Sequence, residues 1–415
     1  MRWFLRLLVV AASGSVVWAQ PAAAPPVAPP APAVAVAADP AAATRSLLAA
    51  EFERQKLVGL SLVVVKNGRV LSEEHLGFAD REAKTAAGPA TMYRWASISK
   101  PVTAAAAMQL VEAGKLDLDA DVRLLVPEFP EPTYTAAQKA ATEGETPAGE
   151  QAPVRCTVTM RQLLCHQGGI VHYSNGKVVK LPPPDGVENP YADVVRALGT
   201  FKASPLVCEP GTKYAYTTHG YILASAVVER AGGRAFWAQV RERIATPAGM
   251  TSFRPDYQWE TIEHRAAGYR KGAGAAAGTM VRSTDTDVSW KLGGGGFIST
   301  VGDLARFGSA LMDGRLVKPE TFSKMRAAQR LRNGDATTYG LGLGVGTLAG
   351  RETAAHSGSQ EKAATYLLMV PDESLAVAVM CNTEGASLGK LAESVARAWM
   401  MPPAGGGGSA PVERK

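Results

Sequence analysis

The sequence predicts an α+β fold in which strands from the two ends of the chain pair in one antiparallel sheet. Near the N-terminus, the apolar runs Val58–Val65 and Val70–Ser72 flank Asn67-Gly68, a strong signal for a type I′ hairpin turn. Three further strand-like runs lie near the C-terminus: Leu341–Gly346, Ala364–Val370 and Leu375–Cys381. The long stretch between these ends is patterned mostly as helix. We therefore expect helices to flank the sheet, with a cleft where the large helical region meets it.

A helix is predicted at each end of the folded part. Arg45–Lys56 is amphipathic and follows Thr44, a residue suited to an N-cap, and Leu388–Trp399 has the pattern of a closing helix. Two segments have the composition of surface insertions, namely Glu131–Pro153, which is polar, and Lys271–Gly278, which is rich in Gly and Ala.

The N-terminus is predicted to be an export signal. Residues 1–6 carry two positive charges, residues 7–17 are apolar, and Val17-Trp18-Ala19 offers a small-x-small cleavage site. We predict a signal peptide over residues 1–19 and an exported protein, periplasmic or secreted. An Ala/Pro-rich disordered tether over residues 20–43, one folded domain over 44–400 and a disordered tail over 401–415 complete the predicted organisation.

Composition excludes several classes of function. Of the 415 residues 46% are hydrophobic and 20% charged, which is typical of a globular chain with a sizeable core. The net charge of +6 is spread without long basic runs, so we predict no nucleic-acid partner.

Gly293–Gly296 lacks the Lys-Ser/Thr of a P-loop and is predicted to form a flexible wall of the cleft, followed by Thr300 and Asp303 as a helix-capping pair. We predict no cofactor, and no membrane span once the signal is removed.

The cysteines and histidines do not form a metal-binding pattern. No Cys-x-x-Cys or tight His/Cys cluster is present, so no metal is predicted. The four cysteines allow three pairings that the sequence cannot rank. Cys156 with Cys208 is the pairing we would test first, since both lie in loop-like approaches to candidate motifs, whereas Cys381 is patterned as a buried strand thiol. Four histidines are predicted to be structural: His166, His172, His219 and His264.

The segment Trp95–Pro101 carries the strongest chemical signal, because Ser97 and Lys100 are three residues apart where a helix is predicted to begin. Positions i and i+3 share a helix face, so the lysine amine can lie beside the serine hydroxyl. A free serine is a poor nucleophile, and a lysine whose pKa is lowered by burial can supply the base it needs. The helix N-terminus adds N–H groups where an oxyanion would form. Val102–Val111 then has the apolar pattern of a helix buried on nearly all sides.

Two further motifs follow in a defined order. Tyr216-Thr217-Thr218 opens the predicted helix Ile222–Ala231, and His356-Ser357-Gly358-Ser359 lies before the strand that begins at Ala364. Ser-x-x-Lys, Tyr-x-Asn and Lys-Thr-Gly occur in this order in the penicillin-recognising serine hydrolases. The chain resembles that superfamily from about Arg45 to Trp399. Within it the chain resembles the class C β-lactamase-related branch, in the group of mitochondrial serine β-lactamase-like proteins and their bacterial relatives.

The resemblance implies a β-lactamase/transpeptidase-like fold and a set of catalytic roles. Ser97 would be the nucleophile that forms an acyl-enzyme, and Lys100 would shuttle its proton. Tyr216 would be the partner acid/base, its phenol drawn toward ionisation by Lys100. The backbone N–H groups of Ser97 and Ser359 would form the oxyanion hole.

The substrate-binding residues implied by the resemblance are Thr218, His356, Ser357 and Gly358, and two of them depart from the family pattern. Thr218 stands where the pattern has Asn, and His356, placed to fix a substrate carboxylate or orient the proton relay, stands where it has Lys. Both changes favour an esterase or peptidase acting on a small-molecule or peptide substrate over a true β-lactamase. The alternative is a non-catalytic envelope binding or assembly module on the same fold. The sequence does not define the oligomeric state.

Overall fold

Strands from both ends of the chain form one antiparallel sheet in the computed structural model, which describes residues 39–134, 154–174 and 193–400. The strands are β1 Gly59–Lys66, β2 Arg69–Asp80, β3 Thr85–Ala86, β4 Tyr93–Arg94, β5 Thr133–Tyr134, β6 Val154–Arg155, β7 Arg254–Pro255, β8 Tyr269–Lys271, β9 Met280–Arg282, β10 Phe297–Ser299, β11 Gly344–Leu348, β12 Arg351–Gln360, β13 Ala363–Val370 and β14 Leu375–Cys381. Seven of them pair in the order β11-β12-β13-β14-β1-β2-β3. The predicted α+β class is confirmed.

The helices lie mostly between the two groups of sheet strands. They are α1 Pro40–Gln55, α2 Ser99–Glu112, α3 Met160–Leu164, α4 Val194–Ala197, α5 Thr218–Gly232, α6 Phe236–Val240, α7 Thr246–Ala248, α8 Leu292–Gly295, α9 Val301–Met312, α10 Pro319–Met325 and α11 Gly389–Trp399. A short 3₁₀ turn, Ala96–Ile98, leads directly into α2.

The central strands are covered by helices on both faces. Leu60, Leu62 and Val64 of β1 belong to the cluster packed with α1 and α11, whereas Val63 and Val65 belong to the larger cluster that includes α2 and α9. Because side chains alternate across a strand, burial of both faces requires a continuous apolar run, which is the pattern of β1 and β14.

Pairing of β1 with β14 joins the two ends of the chain, with Val63 opposite Ala378. The β1–β2 hairpin turns at Asn67 (φ 51°) and Gly68 (φ 73°), the left-handed pair that the type I′ turn requires. Helices α1 and α11 close the outer face, where Nε1 of Trp399 donates to Oγ1 of Thr44 at 2.9 Å.

The first helix begins earlier than predicted. Asp39 is its N-cap, accepting from the N–H of Ala41, and Pro40 occupies the first turn. Thr44 lies inside the helix and donates to the Pro40 carbonyl at 2.8 Å, so its assignment as N-cap and a tether extending to residue 43 are both wrong. An Asp followed by Pro is the stronger start signal, since Pro presets φ and has no N–H to satisfy.

The third motif lies on a strand that the sequence pattern does not reveal. β12 spans Arg351–Gln360 and carries His356–Ser359, while β11 is shifted from the predicted Leu341–Gly346 to Gly344–Leu348. β12 lacks the apolar alternation of a half-buried strand, and its pairing with β13 and β11 holds it in the sheet.

All four cysteines are free thiols, so the suggested Cys156–Cys208 pairing is wrong. Cys208 is buried, whereas Cys156 is half-buried and directs its thiol toward the Val154 carbonyl at 3.7 Å. Lys271–Gly278 is a largely exposed connection between β8 and β9, as predicted. The signal peptide, most of the tether, the tail and residues 135–153 of the other insertion lie outside the described residues. No helix in the described ranges is long and apolar enough to cross a membrane.

Candidate active site

Ser97 lies in the 3₁₀ turn that leads into α2 and is partly exposed, while its neighbours Ala96 and Ile98 are fully buried. Ala96 has a φ of 49°, a left-handed conformation that costs an alanine about 1 kcal/mol or more. This turn brings Ser97 partly out of the buried segment, where its hydroxyl can meet a substrate.

Lys100 is fully buried one turn further along, and no carboxylate contacts it among the described residues. Its Nζ lies 2.9 Å from Oγ of Ser97, 3.2 Å from Oγ1 of Thr218 and 2.7 Å from the carbonyl oxygen of Gly294. Burial lowers the pKa of Lys100 well below its usual value, and the nearby Lys291 lowers it further. A neutral amine can donate two N–H groups to Gly294 and Thr218 and direct its lone pair at the Ser97 hydroxyl.

The ring of Tyr216 also lies beside Lys100, with its centroid 4.8 Å from the lysine Nζ. Burial raises the pKa of Tyr216 above its usual value, while a hydrogen bond with the Ser97 hydroxyl opposes that rise. The expectation that Lys100 draws this phenol toward ionisation is therefore wrong, because a neutral amine exerts no such pull. Tyr216 is a protonated donor beside Ser97.

The edge of β12 supplies the second N–H group expected for an oxyanion hole. The last pair between β11 and β12 joins Gly344 to Ala355. Because the N–H groups of an antiparallel strand point alternately to its two sides, Ser357 and Ser359 share the direction of Ala355, toward the side that β11 no longer occupies.

Gly358 holds this edge against the nucleophile turn. A Cβ built on Gly358 would lie 2.5 Å from the Trp95 carbonyl oxygen and 3.1 Å from Cβ of Ala96. Oγ1 of Thr365, on the neighbouring strand, also donates to that Trp95 carbonyl, at 3.0 Å. Only a glycine permits this approach of β12 to the residues that precede Ser97.

The two residues that depart from the family pattern face inward. Thr218 is buried and binds Lys100. His356 is also buried, with Nδ1 2.7 Å from the Ser357 carbonyl oxygen and Nε2 2.7 Å from the Tyr339 hydroxyl. Burial and Lys100 lower the pKa of His356 to about 3, so the ring is neutral and both nitrogens are engaged. Because both nitrogens are engaged, neither is free to fix a substrate carboxylate, and the alternative part of His356 in orienting the proton relay stays a prediction.

The glycine run and the remaining histidines have structural surroundings. Gly293–Gly296 is a buried helical turn, not a flexible wall, and a Cβ on Gly294 would lie 2.8 Å from Cγ2 of Thr218. Thr300 caps α9 by accepting from the Asp303 N–H, as predicted.

His166 follows α3 beneath the site, as predicted, with its ring centroid 4.3 Å from that of Tyr216. His219 is buried, His172 is half-buried and His264 is exposed.

A cleft of about 430 Å³ opens next to these groups. Tyr214, Tyr216 and Tyr339 line one side, and His356 and Ser357 of β12 line another. The arrangement joins a nucleophile, a neutral amine, a protonated phenol and free backbone N–H groups, which is the set that acyl transfer requires.

The Beta-lactamase family model matches residues 42–398. The chain belongs to the Beta-lactamase family. The resemblance predicted from the motifs is confirmed, and the chain is a serine hydrolase, which decides against the non-catalytic alternative.

The chain is similar to curated proteins and solved structures of several names. The mitochondrial serine beta-lactamase-like protein LACTB of Mus musculus is 28% identical, over 81% of this chain and 76% of that protein. Esterase EstB of Burkholderia gladioli is 29% identical, over 76% of this chain and 82% of that protein. The solved octameric penicillin-binding protein homologue from Pyrococcus abyssi has a TM-score of 0.65 at 24% identity, covering 86% of this chain and 76% of that one. The hydrolase EstCE1 has a TM-score of 0.68 at 21% identity, covering 86% and 98%.

Sequence reasoning missed two side chains at this Beta-lactamase-family site. Tyr339 binds His356 but lies outside every motif. Lys291 influences Lys100 and precedes the glycine run, whose misinterpretation as a flexible wall hid its buried setting. A lysine directly before a buried glycine turn was the available signal.

Proposed function

We propose that the protein is an exported esterase-type hydrolase that forms an acyl-enzyme on Ser97 and prefers short activated esters to penicillins. The observation that carries this proposal is the fully buried amine of Lys100, which lies 2.9 Å from Oγ of Ser97 and has no carboxylate partner among the described residues, so that its pKa is well below the usual value. The names of relatives such as esterase EstB support the same chemistry.

Acylation follows from this geometry. Lys100 takes the proton from Ser97 while Oγ bonds to the ester carbonyl carbon, and the carbonyl oxygen becomes an oxyanion that accepts from the N–H groups of Ser97 and Ser359. When the tetrahedral intermediate collapses, the bond to the alcohol breaks and the departing oxygen takes a proton from Tyr216, which Lys100 restores. Water then repeats the cycle on the acyl-enzyme and releases the acid.

Substrate preference follows from His356. A lysine facing a substrate carboxylate contributes a charge-assisted hydrogen bond of about 1.5–3 kcal/mol. Here the corresponding ring is neutral, because its pKa is lowered to about 3, and it is engaged inside the protein. Loss of that contact costs on the order of tenfold or more in the rate of acylation by penicillins.

Turnover of 4-nitrophenyl butyrate and of benzylpenicillin by the same preparation tests the proposal. We expect measurable ester hydrolysis, absent in Ser97→Ala, and slow or negligible penicillin hydrolysis. Efficient penicillin hydrolysis without ester turnover would overturn the preference, and ester hydrolysis retained in Ser97→Ala would overturn the mechanism.

Export is tested separately by N-terminal sequencing of the protein recovered from its native host. The charged start, the apolar segment and the small-x-small site support a mature chain that begins near Gln20, outside the cytoplasm. An intact Met1 on cytoplasmic protein would contradict it.

A further inference from the structure

A second buried lysine lies beside the catalytic groups. Lys291 is 3% exposed and ends the 3₁₀ turn Ser289–Lys291, directly before the helical turn α8 whose Gly294 carbonyl binds Lys100. Its Nζ lies 5.3 Å from the centroid of the Tyr173 ring and 5.4 Å from that of Trp290. The proposed acylation mechanism does not use this lysine.

The charge of Lys291 is only loosely neutralised. The nearest carboxylate oxygen, Oε2 of Glu361, lies 3.6 Å from Nζ, which is beyond hydrogen-bond distance, and the Glu361 side chain is 47% exposed. Burial lowers the pKa of Lys291 below its usual value and Arg94 lowers it further, whereas Glu361 and Asp287 oppose this shift. Because the only ion pair of Lys291 among the described residues is this long, a ligand anion that binds it more closely is stabilised.

A notch bordered by Lys291 leads toward Ser97. A Cβ built on Gly295 would lie 3.4 Å from Oε1 of Gln360, 3.6 Å from Cδ of Lys291 and 3.8 Å from the carbonyl carbon of Ala96. These are ordinary contact distances, so the absence of a side chain at Gly295 leaves room for a methyl-sized group between Lys291, Gln360 and Ala96. Oε1 of Gln360 borders this space, and Nε2 of the same amide is buried without a hydrogen-bond partner among the described residues, so a flip of the amide group turns an unpaired donor toward a ligand. The notch therefore offers one cation and one unpaired amide donor.

The order of residues along β12 assigns this notch to the acyl half of the substrate. Ser359, whose N–H faces the oxyanion, lies between Ser357 and Gln360. Ser357 shares its cleft with Tyr216, the group that protonates the departing oxygen, so the alcohol lies on that side. The acyl chain then extends the other way, toward Gln360 and Lys291.

We infer that the notch formed by Lys291, Gln360 and Gly295 binds an acid group at the far end of the acyl chain, so that the preferred substrates are monoesters of dicarboxylic acids. In the free enzyme the Glu361 carboxylate pairs with Lys291, and the substrate carboxylate displaces it toward solvent. This inference rests on the proposed function, because it names the acyl group that Ser97 accepts. Lys291, the cation that would bind the substrate, therefore lies at a position different from that of His356, where the family pattern has a lysine.

Paired esters that differ only in the terminal acid test the inference. We would measure kcat/KM for mono(4-nitrophenyl) adipate and for 4-nitrophenyl hexanoate, subtracting the rate without enzyme, and take the ratio of the two values for each variant. The ratio removes any general effect of Lys291 on Lys100. We expect Lys291→Met to lower the ratio by about tenfold or more, chiefly through KM for the adipate. Lys291→Arg should retain most of the ratio, and Glu361→Gln should raise it by removing the internal competitor.

Lys318→Met, at an exposed lysine, is the matched control and should leave the ratio unchanged. If Lys291→Met and Glu361→Gln both retain the wild-type ratio while Ser97→Ala abolishes turnover of both esters, the anion site is wrong and the proposed hydrolase stands. If Ser97→Ala turns over both esters as the wild type does, the proposed mechanism fails and the inference fails with it.

Discussion

Lys100 combines two properties that normally conflict, since it is fully buried and no anion lies within contact among the described residues. Its three contacts are a hydroxyl that reacts, a second hydroxyl and a backbone carbonyl. The low pKa that follows makes the amine a base at neutral pH, at a cost in folding stability that depends on pH.

That cost gives a first prediction. In the folded chain burial holds the pKa of Lys100 well below its usual value, whereas the unfolded chain keeps the amine protonated up to about pH 10.4. Between the lowered pKa and about pH 10.4 the unfolded state binds more protons, so this group makes the free energy of unfolding rise with pH. The free energy of unfolding of the wild type minus that of Lys100→Met, measured in urea, should therefore grow between pH 7 and 9.5 by up to about 3 kcal/mol. A difference independent of pH would show that the folded chain carries a charged Lys100.

The spacing of the motifs was enough to indicate which residues meet at the site, but not how each one is held. Ser97 and Lys100 are neighbours on one helical turn, so their contact follows from local geometry. The inward orientation of His356 depends on Tyr339, which lies seventeen positions away on the preceding segment. No local pattern encodes such a contact.

At the scale of elements, the site depends on how closely β12 approaches the turn before α2. Gly358 permits that approach because a side chain there would meet the Trp95 carbonyl and Oγ1 of Thr365, at 2.5 and 2.1 Å from its Cβ. The distance between Ser359 and Ser97 is therefore set by a residue without a side chain.

Gly358→Ala should lower kcat for 4-nitrophenyl butyrate by about a hundredfold or more, because β12 must move away and misplace one oxyanion donor. Gly346→Ala is the control, since its Cβ would approach only the Thr353 hydroxyl, at 3.3 Å, on the adjacent strand. Thermal unfolding of both variants separates lost activity from lost fold. Full activity in a folded Gly358→Ala would contradict the role given to β12.

Strands whose burial requires apolar residues could be predicted from the sequence. β12 was missed because its buried positions are not apolar side chains. β1 and β14 are buried on both faces and are continuous apolar runs, so their boundaries were predicted to within a residue or two. β12 alternates exposed Ser357 and Ser359 with buried His356 and Gly358. The buried positions of β12 are a histidine and a glycine instead of branched apolar residues, so the sequence pattern of a strand is absent.

At the scale of the whole molecule, the chain closes on itself through its two ends. β1 lies between β2 and β14, and α1 contacts α11 across the outer face of the sheet. Trp399 joins these ends through its indole N–H to Thr44 and through its backbone carbonyl, which accepts from Lys66 at 2.9 Å. The antiparallel sheet was predictable because strand patterns occur at both ends and not in between. The long helices α2 and α5 of the region between were also predicted, whereas its short helices were not, because they are fixed by packing.

Trp399→Ala should destabilise the protein by about 2 kcal/mol or more in urea unfolding, since it removes a large partly buried side chain at the junction of both ends. Trp259→Ala is the control, because that ring is 41% exposed and stacks on Tyr257 alone among the aromatic rings of the described chain. It should cost less than about 1 kcal/mol. Equal losses in the two variants would show that closure of the ends contributes little.

Covalent labelling tests the central claim most directly. A fluorophosphonate probe, followed by digestion and mass mapping, should modify Ser97 in the wild type and leave Ser97→Ala unlabelled, while Ser387→Ala, at an exposed serine, is labelled like the wild type. Modification of a different residue, or equal labelling of the wild type and Ser97→Ala, would contradict the account.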